Sequence, residues 1–103
     1  MSSVSRYEYL LKRRAHARRV TALTCAQRAL DALSAMGVKA RLIGSLAAEP
    51  AKFRHDSDID TLVEDRNGIA QTALFLEAEK HIDGIAFDLA FLEAVPTDMR
   101  QFL

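Results

Sequence analysis

The stretch LIGSLAAEPAKFRHDSDIDTLVED, Leu42 to Asp65, decides how the rest of the chain is read. It begins as an apolar strand that stops at Gly44-Ser45. It ends in a second strand whose opening, Asp58-Ile59-Asp60, puts two carboxylates into an otherwise apolar run. Side chains alternate along a strand, so in SDIDTLV the residues Asp58, Asp60 and Leu62 share one face and Ile59, Thr61 and Val63 the other. The apolar face packs on helices; the acidic face must look elsewhere. An ionised carboxylate is costly to bury unless it is paired or bound to metal, so this pair asks for a cation.

Upstream, residues 5–36 contain neither Gly nor Pro, and Leu23, Ala26, Leu30 and Leu33 recur at spacings of three and four. That pattern predicts an amphipathic helix capped by Gly37. The basic section before it is helical in composition too, with Tyr7, Leu10 and Leu11 as contacts. It is either a separate helix or an extension, and a break is expected near Val20-Thr21. VKARLIG, Val38 to Gly44, predicts the first strand, and SLAAEPAK a helical turn that Pro50 interrupts.

Downstream, EDRNG is a turn, and IAQTALFLEAEK returns to helical spacing through Ile69, Ala73, Leu76 and Lys80 before HIDG closes it. IAFDLAFLE predicts a third strand, with Ile85, Phe87, Leu89 and Phe91 on its apolar face and Asp88 on the other beside Ala86 and Ala90. After Pro96, TDMRQFL predicts a short helix with Thr97 as its cap. The order helix, strand, short helix, strand, helix, strand, helix predicts an α/β (α+β) fold. It is a small three-stranded mixed sheet flanked by helices, in one domain spanning residues 1–103.

Composition supports one ordinary globular domain: 103 residues, 50% hydrophobic and 27% charged, enough for a single modest core. No apolar run approaches the roughly 20 residues that a membrane span needs. The opening MSSVSRYEYLLKRR lacks the apolar core of a secretory signal, and the single Cys25 cannot close an internal disulfide. The expectation is a cytoplasmic protein with no membrane partner, and with Cys25 a small buried helix residue. Charge is unevenly spread: residues 1–19 hold six Lys/Arg against Glu8, about +5, which leaves about −5 on the rest of a chain with 14 of each sign. The basic segment 1–19 is a solvated helix face, contacts an acidic partner or the chain's own acidic part, or binds nucleic acid through KRRAHARR.

At positions i and i+2, Asp58 and Asp60 stand roughly 6–7 Å apart along a strand. Carboxylates so placed suit Mg²⁺, which prefers oxygen ligands and keeps positions for phosphate and water. A third carboxylate on a neighbouring strand completes a site for two ions about 3.5–4 Å apart, the arrangement used for in-line displacement at phosphorus. Asp88, alone in its apolar strand, is the candidate. Gly44 lets backbone approach a phosphate, the turn behind it offers free N–H groups, and Ser45 adds a hydroxyl.

GSLA at 44–47, DSDIDTLV at 56–63 and FDLAFL at 87–92, in this order, closely resemble the minimal nucleotidyltransferase domain of the DNA polymerase β-like superfamily. The resemblance spans Val38 to Leu92, and its GS…SDID centre is the specific part. It implies that Asp58 and Asp60 bind metal, that Asp88 is the third carboxylate and helps activate the attacking hydroxyl, and that Gly44 and Ser45 contact the nucleotide phosphates. The chemistry implied is transfer of a nucleoside monophosphate, AMP from ATP, to a hydroxyl of a protein or RNA, with pyrophosphate leaving and two Mg²⁺ required. Small stand-alone domains of this type also pair with an all-helical HEPN partner, as the antitoxin of a toxin–antitoxin pair. A chain of this size leaves the acceptor to such a partner or to a homo-oligomer interface.

The sequence departs from that pattern at Ala48, where arginine is usual, and at Glu49, where glycine is usual. An anion gained and a cation lost weaken triphosphate binding, so Lys52 and Arg54 are the candidates to compensate, and a non-catalytic binding module is the alternative reading. Asp56 shares the parity of Asp58 and Asp60 but belongs to the loop before them. His16, His55 and His81 have no metal-ligand spacing, which argues against zinc.

Overall fold

The computed structural model describes residues 5–49, 52–53 and 57–103. Pro50, Arg54, His55 and Asp56, named above, lie outside the described residues. The chain opens with α1, Arg6–Ala35, 30 residues in one continuous helix. Ser5 caps it, its hydroxyl accepting from the Glu8 N–H at 3.1 Å. The break expected at Val20-Thr21 does not occur. The β-branched pair lowers helix propensity without removing a backbone donor, and Thr24 Oγ1 bonds back to the Val20 carbonyl at 3.0 Å.

Gly37 ends α1 as expected. The Gly37 N–H donates to Ser34 and the Val38 N–H to Leu33, both at 3.0 Å, the bonding of a Schellman turn. Its φ of +75° favours glycine, and a Cβ there would lie 2.6 Å from Asn67 Nδ2. That amide is in place because it donates to the Met36 carbonyl at 3.1 Å.

The three strands are β1 (Lys39–Ile43), β2 (Ile59–Asp65) and β3 (Phe87–Phe91), in the spatial order β1-β2-β3. β1 runs antiparallel to β2 and β3 parallel to it, which makes the sheet mixed. A four-residue helix α2 (Ser45–Ala48) follows β1, and α3 (Gln71–Glu79) carries the crossover from β2 to β3. Two 3₁₀ segments, Leu92–Ala94 and Thr97–Phe102, finish the chain. Pro96, with no side-chain bond, occupies the cap position, so Thr97 is not the cap. Glu93 ties the first of these segments back to the body, through an ion pair with Arg66 and a hydrogen bond from Gln71 at 3.3 Å.

The core lies between the helices and the odd-numbered face of β2, where Ile59, Thr61 and Val63 are buried. From α1 it receives Ala22, Cys25, Ala26, Ala29 and Leu33. Of the helix positions expected to face inward, Ala26 and Leu33 do, while Leu23 is 41% exposed and Leu30 only half-buried. The small residues let the helix lie close on the sheet and turn the leucines to its flank. In α3 the buried pair is Leu74 and Ala78, whereas Ala73 and Leu76 are exposed. Ile69 precedes the helix, so it does not set the helix's phase. Phe75 instead stacks on Phe87 of β3, with ring centroids 4.8 Å apart.

Among the described residues no helix is long and apolar enough to cross a membrane. α1 is buried only from Ala22 onward, and its preceding turns extend away from the body of a molecule measuring 56 × 32 × 17 Å. Leu33→Ala is expected to lower stability by about 2–5 kcal/mol in urea denaturation. Leu76→Ala, on the outer side of α3, should change it by no more than about 0.5 kcal/mol. Equal losses would contradict the phase of α3 described here.

Candidate active site

The sheet register brings the acidic residues together. Asp60 pairs with Asp88 across the parallel β2–β3 ladder and with Ile43 across the antiparallel β1–β2 ladder. Paired residues point to the same face of a sheet from strands about 4.8 Å apart, so the two carboxylates emerge side by side. Asp58 lies two residues ahead of Asp60, just before β2 begins. Asp58 and Asp88 are exposed and Asp60 half-buried.

Burial pushes the Asp60 carboxyl above its ordinary pKa of 3.8, and repulsion from Asp58 and then from Asp88 adds to the shift. The face is not polar throughout. Leu62, on the same side as Asp60, is 1% exposed, and beyond it Arg41 pairs with Glu64 at 3.3 Å.

Gly44 joins this site directly. Its φ is +76°, and a Cβ there would stand 2.7 Å from Asp60 Oδ2. The Asp60 carboxylate thus lies against the Cα of Gly44, and the Gly-Ser step and the Asp-Ile-Asp step form one place in the fold. Ser45 is the first residue of α2, and the cap position before it is held by Gly44, so Ser45 is not the cap.

Lys52 stands near α2 but its ammonium is engaged with Glu49 at 3.0 Å. The structure therefore unites Asp58, Asp60, Asp88 and Gly44, with Ser45 beside them and Lys52 paired. Arg54 lies outside the described residues. A pocket of about 510 Å³ adjoins the Gly44-Ser45 step, between β1, α2 and the C-terminal Phe102 and Leu103, and it includes none of the three aspartates.

One participant was not singled out from the sequence. Arg18, within the basic segment, donates from Nη2 to the Ser57 carbonyl at 3.3 Å and sets its guanidinium 5.6 Å from the ring centre of the buried Phe53. It braces the residue next to Asp58 from α1. The available signal was its position one turn before Ala22, on the same side of the helix as the buried stripe.

Among the described residues no group of three or more His, Cys, Asp or Glu side chains converges closely enough to hold an ion unaided. Asp60 and Asp88 are neighbours on the ladder, and a cation placed there would have to complete its shell with water and phosphate oxygens, as Mg²⁺ can. Such a cation would offset the repulsion from Asp58 and Asp88 that adds to burial in raising the Asp60 pKa. Comparison of the chain with protein-family models, curated proteins and solved structures finds no match in any of the three.

Two outcomes follow from the Asp60 geometry. A carboxyl whose folded pKa is raised stabilises the fold fully below its unfolded pKa, and that contribution is lost as pH rises through the folded value. Asp60→Asn should therefore be more stable than the wild type at about pH 7, with the difference closing as pH falls toward 3.8. Urea titrations across that range read it, and a difference that grows on acidification would refute the assignment. Separately, Gly44→Ala should cost about 1 kcal/mol or more, and that cost should shrink by at least about 0.5 kcal/mol in an Asp60→Ala background. Strict additivity would mean that the two residues do not touch.

Proposed function

We propose that the protein is a Mg²⁺-dependent nucleotidyltransferase. It would move a nucleoside monophosphate, AMP from ATP, onto a hydroxyl of a protein or RNA acceptor, as the antitoxin of a toxin–antitoxin pair. The observation that carries this reading is the register that sets Asp60 beside Asp88 while Asp60 rests against Gly44. A half-buried Asp60 between two further carboxylates is disfavoured in its ionised form and suits a polyphosphate held through metal.

In this reading Asp58 and Asp60 hold Mg²⁺, with Asp88 as the third ligand. When bound, the ions neutralise the triphosphate and stabilise charge on the pyrophosphate as it leaves. The Gly44 backbone, which carries no side chain, would lie beside the phosphates, and the Ser45 hydroxyl would donate to a phosphate oxygen. Asp88 orients the acceptor hydroxyl and draws its proton as the oxygen attacks the α-phosphorus. Arg18 acts through the Ser57 carbonyl to keep Asp58 in position.

A second reading is favoured by the pairing of Lys52 with Glu49, which leaves the triphosphate a weaker cationic neighbour. There the fold is a binding module that neutralises a HEPN-type helical partner without turnover.

Incubation with each α-labelled NTP, Mg²⁺ and candidate protein or RNA acceptors separates the two. Transfer predicts label on an acceptor and its loss by more than about 100-fold in Asp58→Asn and Asp60→Asn, with the fold intact by circular dichroism. Partner affinity that persists in both variants, with no label on any acceptor and no Mg²⁺-dependent NTP binding by calorimetry, would establish the binding module instead.

A further inference from the structure

Among the described residues, Arg18 ties α1 to the body of the fold one turn before Ala22, and the turns before Arg18 make no hydrogen bond or ion pair with it. From Arg6 to Arg19 the helix rises roughly 20 Å, and every one of these residues except Ala15, Arg18 and Arg19 is exposed. Arg6, Lys12, Arg13, Arg14 and Arg19 make no ion pair or side-chain hydrogen bond among the described residues. Elsewhere among the described residues Arg41, Lys52, Arg66 and Lys80 each have a carboxylate partner and Arg100 bonds the Val95 carbonyl, while Arg28 and Lys39 have no partner. Unmatched cations are thus concentrated on the arm, while the rest of the chain is acidic.

Their directions narrow the partner. At 3.6 residues per turn, Arg6 and Arg13 leave one side of the helix, Lys12 and Arg19 a second and Arg14 a third, roughly a third of a turn apart. A flat acidic protein surface would meet one of these sides and leave the others in water. A groove with a wall of phosphates on either side meets at least two.

The major groove of B-form DNA is about 12 Å wide and admits an α-helix, whereas that of an RNA duplex is too deep and narrow. Tyr7 and Tyr9, 71% and 58% exposed, add aromatic rings with polar tips to the first turns.

We infer that the arm Arg6–Arg19 is a DNA-binding element. It docks in the major groove of a duplex through phosphate contacts from Arg6, Lys12, Arg13, Arg14 and Arg19, without base selection. This surface is separate from the aspartate site and does not depend on nucleotidyl transfer.

The test is fluorescence anisotropy of the full chain with a labelled DNA duplex of about 20 base pairs in EDTA, across about 50–200 mM salt. With four of the five cations on phosphates, log K should fall with log salt at a slope of about −3.6, roughly 150-fold over that range. Replacing all five by Ala should abolish binding at the lowest salt, replacing the four arginines by Lys should retain it, and Asp60→Asn should leave it unchanged. Circular dichroism establishes that each variant is folded. The inference is overturned by no binding at the lowest salt, by a flat slope, or by equal binding of the five-Ala variant. Tighter binding to single-stranded DNA, to an RNA duplex or to polyglutamate than to the DNA duplex overturns it too.

Discussion

The contact between the Asp60 carboxylate and the Cα of Gly44 is the constraint around which the sheet is arranged. Any side chain at position 44 would occupy the space of that carboxylate, and φ at this residue already favours glycine. The contact closes the end of β1 against the start of β2, so the antiparallel pair reaches the register in which Ile43 faces Asp60. β3 then adds on the far side of β2 with Asp88 opposite Asp60. One glycine thereby determines how near a half-buried carboxylate stands to backbone that turns into a helix, and the parallel ladder determines its acidic neighbour. Burial, with repulsion from Asp58 and Asp88, disfavours the ionised form of Asp60 in this arrangement and raises its pKa.

Strand parity was fully legible in the sequence. A period of two leaves no ambiguity in SDIDTLV or IAFDLAFLE, so the buried face of Ile59, Thr61 and Val63 and the outward position of Asp88 follow from spacing alone. Helix phase was only partly legible. The stripe of α1 that meets the sheet is built from Ala22, Cys25, Ala26 and Ala29, whose small side chains carry a weaker pattern than the flanking Leu23 and Leu30. Continuity through Val20-Thr21 was hidden for a related reason: propensity weighs residues singly, whereas a helix anchored at its far end by packing carries a poor pair through. The register of Asp60 on Asp88 was beyond local reading, because it depends on how the α3 crossover seats β3 against β2. The same is true of Arg18 on Ser57 and Asn67 on Met36, side-chain contacts to backbone across long sequence separations.

The distribution of charge gives the molecule two ends with different chemistry. The sheet face at Asp58, Asp60 and Asp88 concentrates carboxylates, and the arm of α1 concentrates cations. The two cannot satisfy each other within one chain, because α1 is a single stiff helix whose arm extends away from the sheet instead of folding back across it. Arg18 marks where one regime gives way to the other. It belongs by sequence to the basic segment, yet its guanidinium turns toward the body, over Phe53 and onto the Ser57 carbonyl beside the first aspartate. Among the described residues, the cations before it have no such partner. Helix continuity, which propensity at Val20-Thr21 argued against, is therefore what keeps the basic turns of α1 apart from the acidic sheet face.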